Sequence, residues 1–261
     1  MSVKLWHQST TEMSRESPYG KALVRRVQEV LGDGVVLDTF GLPAGTYRGR
    51  GVSAANSNAF VYHRILDRVI DNAIRAEREG YDAFIIGSYS EPFLKETRAA
   101  VNIPVLSLFE TTLLVGCSLG TRTAFITTSP PVVDMINKSV AFHRMADRVG
   151  DVISLEPAFE GPELQAAFND PSRLIASFET AAIKALDNGA DVLVPAEGII
   201  AVILTQAGVT RFKDAPVIDV FGVTWSYAAM FVNLRKTAGM SVTRRGWYAQ
   251  PDPELIQLLA R

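Results

Sequence analysis

A helix–strand unit occurs twice in this chain, and that repetition limits its possible folds more than any other feature. In the first copy Ala73-Ile74-Arg75-Ala76 leads to Gly80-Tyr81-Asp82, an apolar run over residues 83–86 and the turn Gly87-Ser88. In the second copy Ala182-Ile183-Lys184-Ala185 leads to Gly189-Ala190-Asp191, an apolar run over residues 192–195 and the turn Ala196-Glu197-Gly198. The likeness continues into Ile103-Pro104-Val105-Leu106 and Ala215-Pro216-Val217-Ile218. Helix–glycine–strand units look alike in general, but a match running through helix, strand and following strand favours duplication. The prediction is an α/β fold of two similar Rossmann-like lobes. Each has a parallel sheet, and a pseudo-twofold axis relates them around a shared cleft. On this reading residues 1–115 and 225–261 form the first lobe, and residues 116–224 the second.

The first copy shows where a site would lie. Residues 83–86 have strand length, Gly87 and Ser88 stop the run, Ser90 is a good helix N-cap, and Pro92 suits a first helical turn. Ligands of open parallel sheets bind beyond the carboxyl ends of strands. Helix N-termini there favour a carboxylate or a developing oxyanion. Ser88 and Glu197 are then equivalent points, one at the lip of each lobe.

The rest of the chain fits around these units. Residues 3–6 read as a strand, and residues 7–12 as a polar turn in which Ser9 and Glu12 form a capping box. Residues 20–31 have helical periodicity, 35–40 read as a strand, and 60–79 as one amphipathic helix. Beyond the central turn come a helix at 93–100, a strand at 104–109 and a helix at 110–117. The second lobe reads as strands at 122–126, 149–155 and 192–195, helices at 132–145, 171–188 and 199–207, and a last core strand at 216–221. A helix over 224–238 follows. Thr127-Thr128-Ser129 holds the place in lobe two that Gln8-Ser9-Thr10 holds in lobe one. Both turns suit a small carboxylate, or plain helix capping.

The long loop 41–57 carries Arg48 and Arg50, which either clamp a substrate carboxylate or remain solvated. Its Gly49-Arg50-Gly51-Val52-Ser53-Ala54 matches G-x-G-x-x-A but lies well past the strand, so it is a poor dinucleotide fingerprint. The tail 239–261 offers Arg244, Arg245, Trp247 and Tyr248 either to a subunit interface or to its own lobe.

Composition removes several function classes. A net charge of −2 over 261 residues gives no field for nucleic acid or a membrane surface. Residues 1–9 are too short and polar for a signal peptide, and no apolar run reaches spanning length. The lone Cys117 excludes an internal disulfide framework, fits a reducing, cytoplasmic compartment, and reads as a buried small apolar residue. His7, His63 and His143 are isolated, no metal-ligand spacing exists, and no cofactor is predicted. Only His7 lies near a predicted strand end, as an acid–base residue or a hydrogen-bonded structural histidine. Trp6, Tyr47, Tyr62 and Tyr89 hint at a substrate larger than aspartate. A homodimer or larger homo-oligomer is expected.

Over nearly its whole length the chain resembles the Asp/Glu/hydantoin racemase superfamily. The resemblance is carried by the order of Gln8-Ser9-Thr10-Thr11, Gly87-Ser88-Tyr89-Ser90-Glu91-Pro92, Thr127-Thr128-Ser129 and Val194-Pro195-Ala196-Glu197-Gly198. It implies a two-lobed, cofactor-independent enzyme with one cysteine at each strand end. Those cysteines fall at Ser88 and Glu197, so this chain departs from the family where its chemistry lies.

What remains is a Ser/Glu pair. A serine hydroxyl is a poor base unless something removes its proton. A carboxylate in a closing, partly apolar cleft has its pKa raised and serves as acid or base near neutrality. The expected catalytic residues are therefore Glu197, Ser88 and Tyr89: Ser88, Tyr89 and Ser90 donate to a carbonyl or enolate oxygen, and Tyr89 is either a second acid or part of the pocket wall. Expected substrate-binding residues are His7, Gln8, Ser9, Thr10, Arg48, Arg50, Ser90, Thr127, Thr128, Ser129 and Gly198. The expected activity is proton movement at a carbon alpha to a carboxylate or carbonyl of a hydantoin-like or amino-acid-like small molecule. A lyase or decarboxylase using Glu197 alone, and a non-catalytic binder of small carboxylates, remain open.

Overall fold

The computed structural model describes residues 2–50, 52 and 57–255. In the first half, β1 (Val3–Glu12), α1 (Pro18–Val30) and β2 (Val35–Leu42) are followed by α2 (Ala59–Leu66), α3 (Arg68–Arg78), β3 (Ala83–Gly87), α4 (Leu94–Ala100), β4 (Val105–Ser107) and α5 (Leu108–Leu119). The second half runs β5 (Thr123–Thr127), α6 (Pro130–His143), β6 (Val149–Ser154), α7 (Gly161–Ala166), α8 (Ser172–Asp187), β7 (Val192–Pro195) and α9 (Gly198–Gln206). A short ribbon of β8 (Arg211–Phe212) and β9 (Ala215–Pro216) precedes the long α10 (Val220–Ala238).

The sheets repeat one topology. The first has the order β2-β1-β3-β4 and the second β6-β5-β7, with every pairing parallel. Val217 bridges Leu193 in parallel, where β4 stands in the first sheet. Leu5 pairs with Ala83 and Thr123 pairs with Val192, so Asp82 and Asp191 head equivalent strands. The central strands are buried on both faces, which explains their unbroken apolar runs. Side chains alternate along β1: Leu5 joins the main core and Trp6 a second cluster with Val69, Ala73, Phe84 and Ile86. The main core crosses the lobes, with the Phe109 ring 4.9 Å from that of Phe125. α10 crosses the first sheet and seats Trp225 against His7. Among the described residues no helix is long and apolar enough to cross a membrane.

Several local expectations are corrected. Residues 7–12 extend β1 instead of turning, because β2 and β3 pair with it on both sides. The cap of α1 is Ser17, whose hydroxyl accepts from the Gly20 N–H, while Glu12 accepts from the Gly45 and Tyr47 N–H groups. The single helix expected over 60–79 is broken at Asp67 into α2 and α3. Ser90 does not cap a helix: Glu91 (φ 45°) and Phe93 (φ 55°) are left-handed, and α4 starts only at Leu94. Ser107 stops β4 early by capping α5. Of the strand expected over 216–221 only Pro216, in β9, and the Val217 bridge remain, because Asp219 already caps α10 through the Gly222 N–H. Cys117 is half-buried rather than buried. Arg244 ties the tail to the end of α4 through the carbonyls of Arg98, Ala99 and Val101, while Trp247 stays 93% exposed. Gly51, Ser53 and Ala54 of the glycine string lie outside the described residues.

Candidate active site

Glu197 stands between β7 and α9 in an extended conformation and is the N-cap of that helix. One carboxylate oxygen, Oε2, accepts from the N–H of Ile199 (2.7 Å) and of Ile200 (3.0 Å). Oε1 takes no part in the cap. Burial pushes the carboxyl above its ordinary value, against the lowering by the Ile200, Ile199 and Gly198 N–H groups. Desolvation therefore outweighs capping, and the group is poised to hold or release a proton closer to neutrality than a surface glutamate. Two phenols of the opposite lobe, Tyr19 and Tyr89, are close enough to feel its charge.

The lip of the first lobe is built differently. Ser88 follows β3, and its hydroxyl is 3.0 Å from the Ser90 hydroxyl and accepts weakly from the Ser90 N–H at 3.3 Å. The Tyr62 hydroxyl donates to the Ser90 carbonyl at 3.1 Å. Tyr89 turns inward, only 4% exposed, with its ring against Phe125 and its hydroxyl 3.4 Å from that of Thr112. The Thr127 hydroxyl donates to the Ala196 carbonyl at 3.0 Å and so ties β5 to the Glu197 turn. Thr128 is buried, and Ser129 precedes α6 without a side-chain cap bond. A cavity of about 700 Å³ reaches the lobe-one turn at Ser90; Tyr62, Phe93 and Lys95 wall it on one side and Pro130, Asp134, Met135 and Lys138 on the other, while neither Ser88 nor Glu197 lines it.

Other expected site residues are drawn elsewhere. His7 is fully buried. Its Nδ1 accepts from the Trp225 indole N–H at 3.3 Å, and burial lowers its pKa to about 3. It is a neutral core histidine, packed against Gly87 so closely that a Cβ there would lie 2.4 Å from its Nε2. Gln8 faces the other side of β1, where its Oε1 accepts from Trp6 and Asn72 and its amide donates to the Ser9 carbonyl. Thr10 is buried and gives its carbonyl to the Tyr47 hydroxyl. Trp6 is stacked on Phe40 at 3.7 Å within the core. Arg48 and Arg50 lie exposed on the loop. Ser9, itself buried, and Gly198 both lie beside the Tyr19 hydroxyl.

A family model described as Asp/Glu/hydantoin racemase matches residues 17–222, most of the chain and both lips. The chain belongs to the Asp/Glu/hydantoin racemase family. Within it, the chain is 26% identical over 175 residues to a hydantoin racemase of Pseudomonas sp. (strain NS671). That match covers 64% of this chain and 65% of the relative, just under two thirds of its length. The fold is that of an allantoin racemase from Klebsiella pneumoniae, with a TM-score of 0.76 at 17% identity over 96% of this chain and 94% of that one. An allantoin racemase from Pseudomonas fluorescens gives 0.72 at 17% identity, covering 96% and 98%. Unliganded arylmalonate decarboxylase gives 0.55 at 16% identity, covering 88% and 93%. These structural likenesses establish the two-lobed racemase fold.

Two features of this racemase-family site escaped the sequence. Tyr19 comes from a helix whose start was misplaced, so nothing in the pattern aimed it at the cleft. The other is a buried tie between lobes. The Glu91 carboxylate accepts from the Ser107 hydroxyl and the Glu110 N–H, and meets His143 Nε2 of α6 at 2.9 Å. His143, isolated in sequence, is thus partnered in space. The available signal was the acidic residue in Ser90-Glu91-Pro92, which is too polar for a buried turn without partners.

Proposed function

We propose that this chain is a cofactor-independent racemase or isomerase that moves a proton at the carbon alpha to a carboxylate or carbonyl of a small hydantoin-like or amino-acid-like molecule. The observation carrying this reading is the divided carboxylate of Glu197. Oε2 is held by the helix start, which fixes the side chain, while Oε1 is left for the proton. Fixed geometry and a raised pKa are the properties wanted of a general acid–base residue. Among the substrate-binding candidates, Ser9, Ser88, Ser90, Thr128 and Gly198 remain in the reading as cleft residues. The lone cysteine supports a reducing, cytoplasmic setting.

A second reading, a lyase or decarboxylase, has one specific support. The Ser88 hydroxyl bonds within its own turn, to Ser90. Among the described residues no bond to a basic side chain activates it, so a one-base reaction fits the lips as well as inversion between two bases. Proton NMR in D₂O decides between them. The panel holds hydantoins, allantoin, amino acids, maleate and substituted malonates, with wild type and Glu197→Gln side by side. Deuterium at an alpha carbon with wild type only supports the isomerase. Loss of CO₂ or a cleaved bond supports the lyase. Ligand-induced thermal stabilisation with no turnover of any bound compound counts against both and leaves a binding protein.

A further inference from the structure

The lip of lobe one is built on strained backbone. Glu91 (φ 45°) and Phe93 (φ 55°) are left-handed without being glycine, and such residues persist only where their surroundings hold them. The Glu91 N–H donates to the Ser88 carbonyl at 3.3 Å, so the residue that closes this turn is bonded to the one that opens it. The Glu91 carboxylate is the clamp, and its two oxygens are divided between the lobes. Oε1 accepts from the Ser107 hydroxyl and, at 3.3 Å, from the Glu110 N–H, both of lobe one. Among the described residues Oε2 meets only His143 Nε2 of lobe two, at 2.9 Å.

His143 is itself fixed. It ends α6, whose first residue follows Thr127-Thr128-Ser129, so one helix of 14 residues joins the lobe-two lip to this contact. Its ring lies against those of Phe109, at 5.7 Å, and Phe142, at 4.8 Å. Nδ1 stands 3.6 Å from Glu110 Oε1, and Arg98 of α4 holds both oxygens of that carboxylate.

We infer that His143 is a positioning residue for the lip of lobe one: from lobe two it holds Oε2 of Glu91, and thereby the strained turn that carries Ser88, Tyr89 and Ser90. Without the imidazole, a carboxylate oxygen of a residue only 7% exposed has no partner. Glu91 stands in the wall of the 700 Å³ cavity, so the freed side chain reaches water by swinging toward it. That movement releases the left-handed backbone at residue 91 and the bond from its N–H to Ser88. The lobe-one hydroxyls thus keep their places only while lobe two is docked. The hold of His143 on the turn rests on these contacts alone; its catalytic consequence rests on the proton-transfer reading proposed above.

The test needs no substrate. Amide order parameters of the native protein are measured by ¹⁵N NMR, beside urea unfolding. His143→Leu should drop the amides of Ser88, Tyr89, Ser90 and Glu91 from about 0.85 to below about 0.6, while Ile85 of β3 and Ile136 of α6 stay rigid. His143→Gln can present an amide N–H to the same oxygen and should leave the lip more ordered than His143→Leu does. Equal disorder in the two would mean that the Nε2 contact does not hold the turn, and overturns the inference. His143→Asn stops short of Glu91 and replaces His143→Leu if that variant does not fold. A lip that stays rigid while the urea midpoint falls is the signature of a merely structural tie and overturns the inference, whatever the D₂O panel shows. A loss of order spread evenly over both lobes does the same. Once a turned-over substrate is found, His143→Leu should lower kcat more than it changes KM, because donors to developing charge act in the transition state. The loss should be smaller than that of Glu197→Gln. A KM effect alone overturns the catalytic part of the inference.

Discussion

The two lips end the same kind of helix–strand unit and differ at every chemically useful position. After β7 the chain enters a helix at once: Glu197 caps it, Gly198 begins it, and Ile200 is buried in its first turn. After β3 the chain instead makes a turn with two left-handed residues, delays its helix to Leu94, and buries a carboxylate, Glu91, where the second lobe has Ile200. The central strands diverge likewise. His7 pairs with Ile85 and Phe125 with Val194, so a neutral buried histidine stands where the second lobe has a phenylalanine. A shared topology thus fixes where the lips are, while the polar groups each lobe can satisfy decide what they do. Lobe two presents an ionisable group at a helix start, and lobe one presents hydroxyls.

The largest effect expected from this asymmetry is at Glu197. Glu197→Gln keeps a cap acceptor but cannot take a proton, so turnover of any substrate found by the D₂O screen should fall by about 10³-fold. Circular dichroism and the unfolding midpoint should stay near wild type, because the bonds to Ile199 and Ile200 can persist. Residual turnover within tenfold of wild type would show that the lobe-two lip is not the reactive one.

Next in size is the carboxylate that lobe two lacks. Glu91→Ala leaves the Ser107 hydroxyl and His143 without their buried partner, so urea unfolding should show a loss of about 3 kcal/mol. The left-handed backbone at residue 91 stays strained with alanine and gives no compensation. A loss below about 0.5 kcal/mol, the level of an ordinary surface change, would mean that the lobes are not tied there.

His7 and Phe125 give a smaller, pH-graded contrast. Burial lowers the His7 pKa to about 3 in the fold from an ordinary 6.5, so below 6.5 the unfolded chain takes up a proton the folded chain refuses. Stability then rises with pH across that window and falls as pH drops, by about 1.4 kcal/mol per pH unit well below the upper value. His7→Phe copies the second lobe and removes the titration. Whatever the ring does to packing, the acid slope of the urea midpoint should be flatter than in wild type between about pH 4 and 6. Equal slopes would mean that His7 is charged in the fold.

How much of this was legible follows from which forces are local. The duplication was readable because a buried parallel strand needs an apolar run and its preceding helix a glycine stop, whatever the rest of the chain does. It led to both sheets and to Glu197 at a helix start. The β1 extension was not readable: His7, Gln8, Ser9 and Thr10 look like a turn, and only the flanking β2 and β3 make them a strand. That error moved the start of α1 and hid Tyr19. The Glu91–His143 contact joins residues 52 apart in sequence, and no periodicity encodes such a pair.

The smallest expected effect is also the sharpest test of the comparison. If the lips were equal partners, as a two-base inversion requires, Ser88 would need a base to remove its proton. Its hydroxyl instead bonds to the hydroxyl and N–H of Ser90, neither of which can do so. Ser88→Ala should therefore reduce turnover by less than about tenfold, equivalent to about 1.4 kcal/mol of barrier, by loosening the turn and removing one donor. A loss as deep as that of Glu197→Gln would make the two lips chemically equivalent and return the reaction to both faces of the substrate. A small loss with retained alpha-proton exchange would place the proton transfer on lobe two alone, with the hydroxyls of lobe one holding the substrate oxygen.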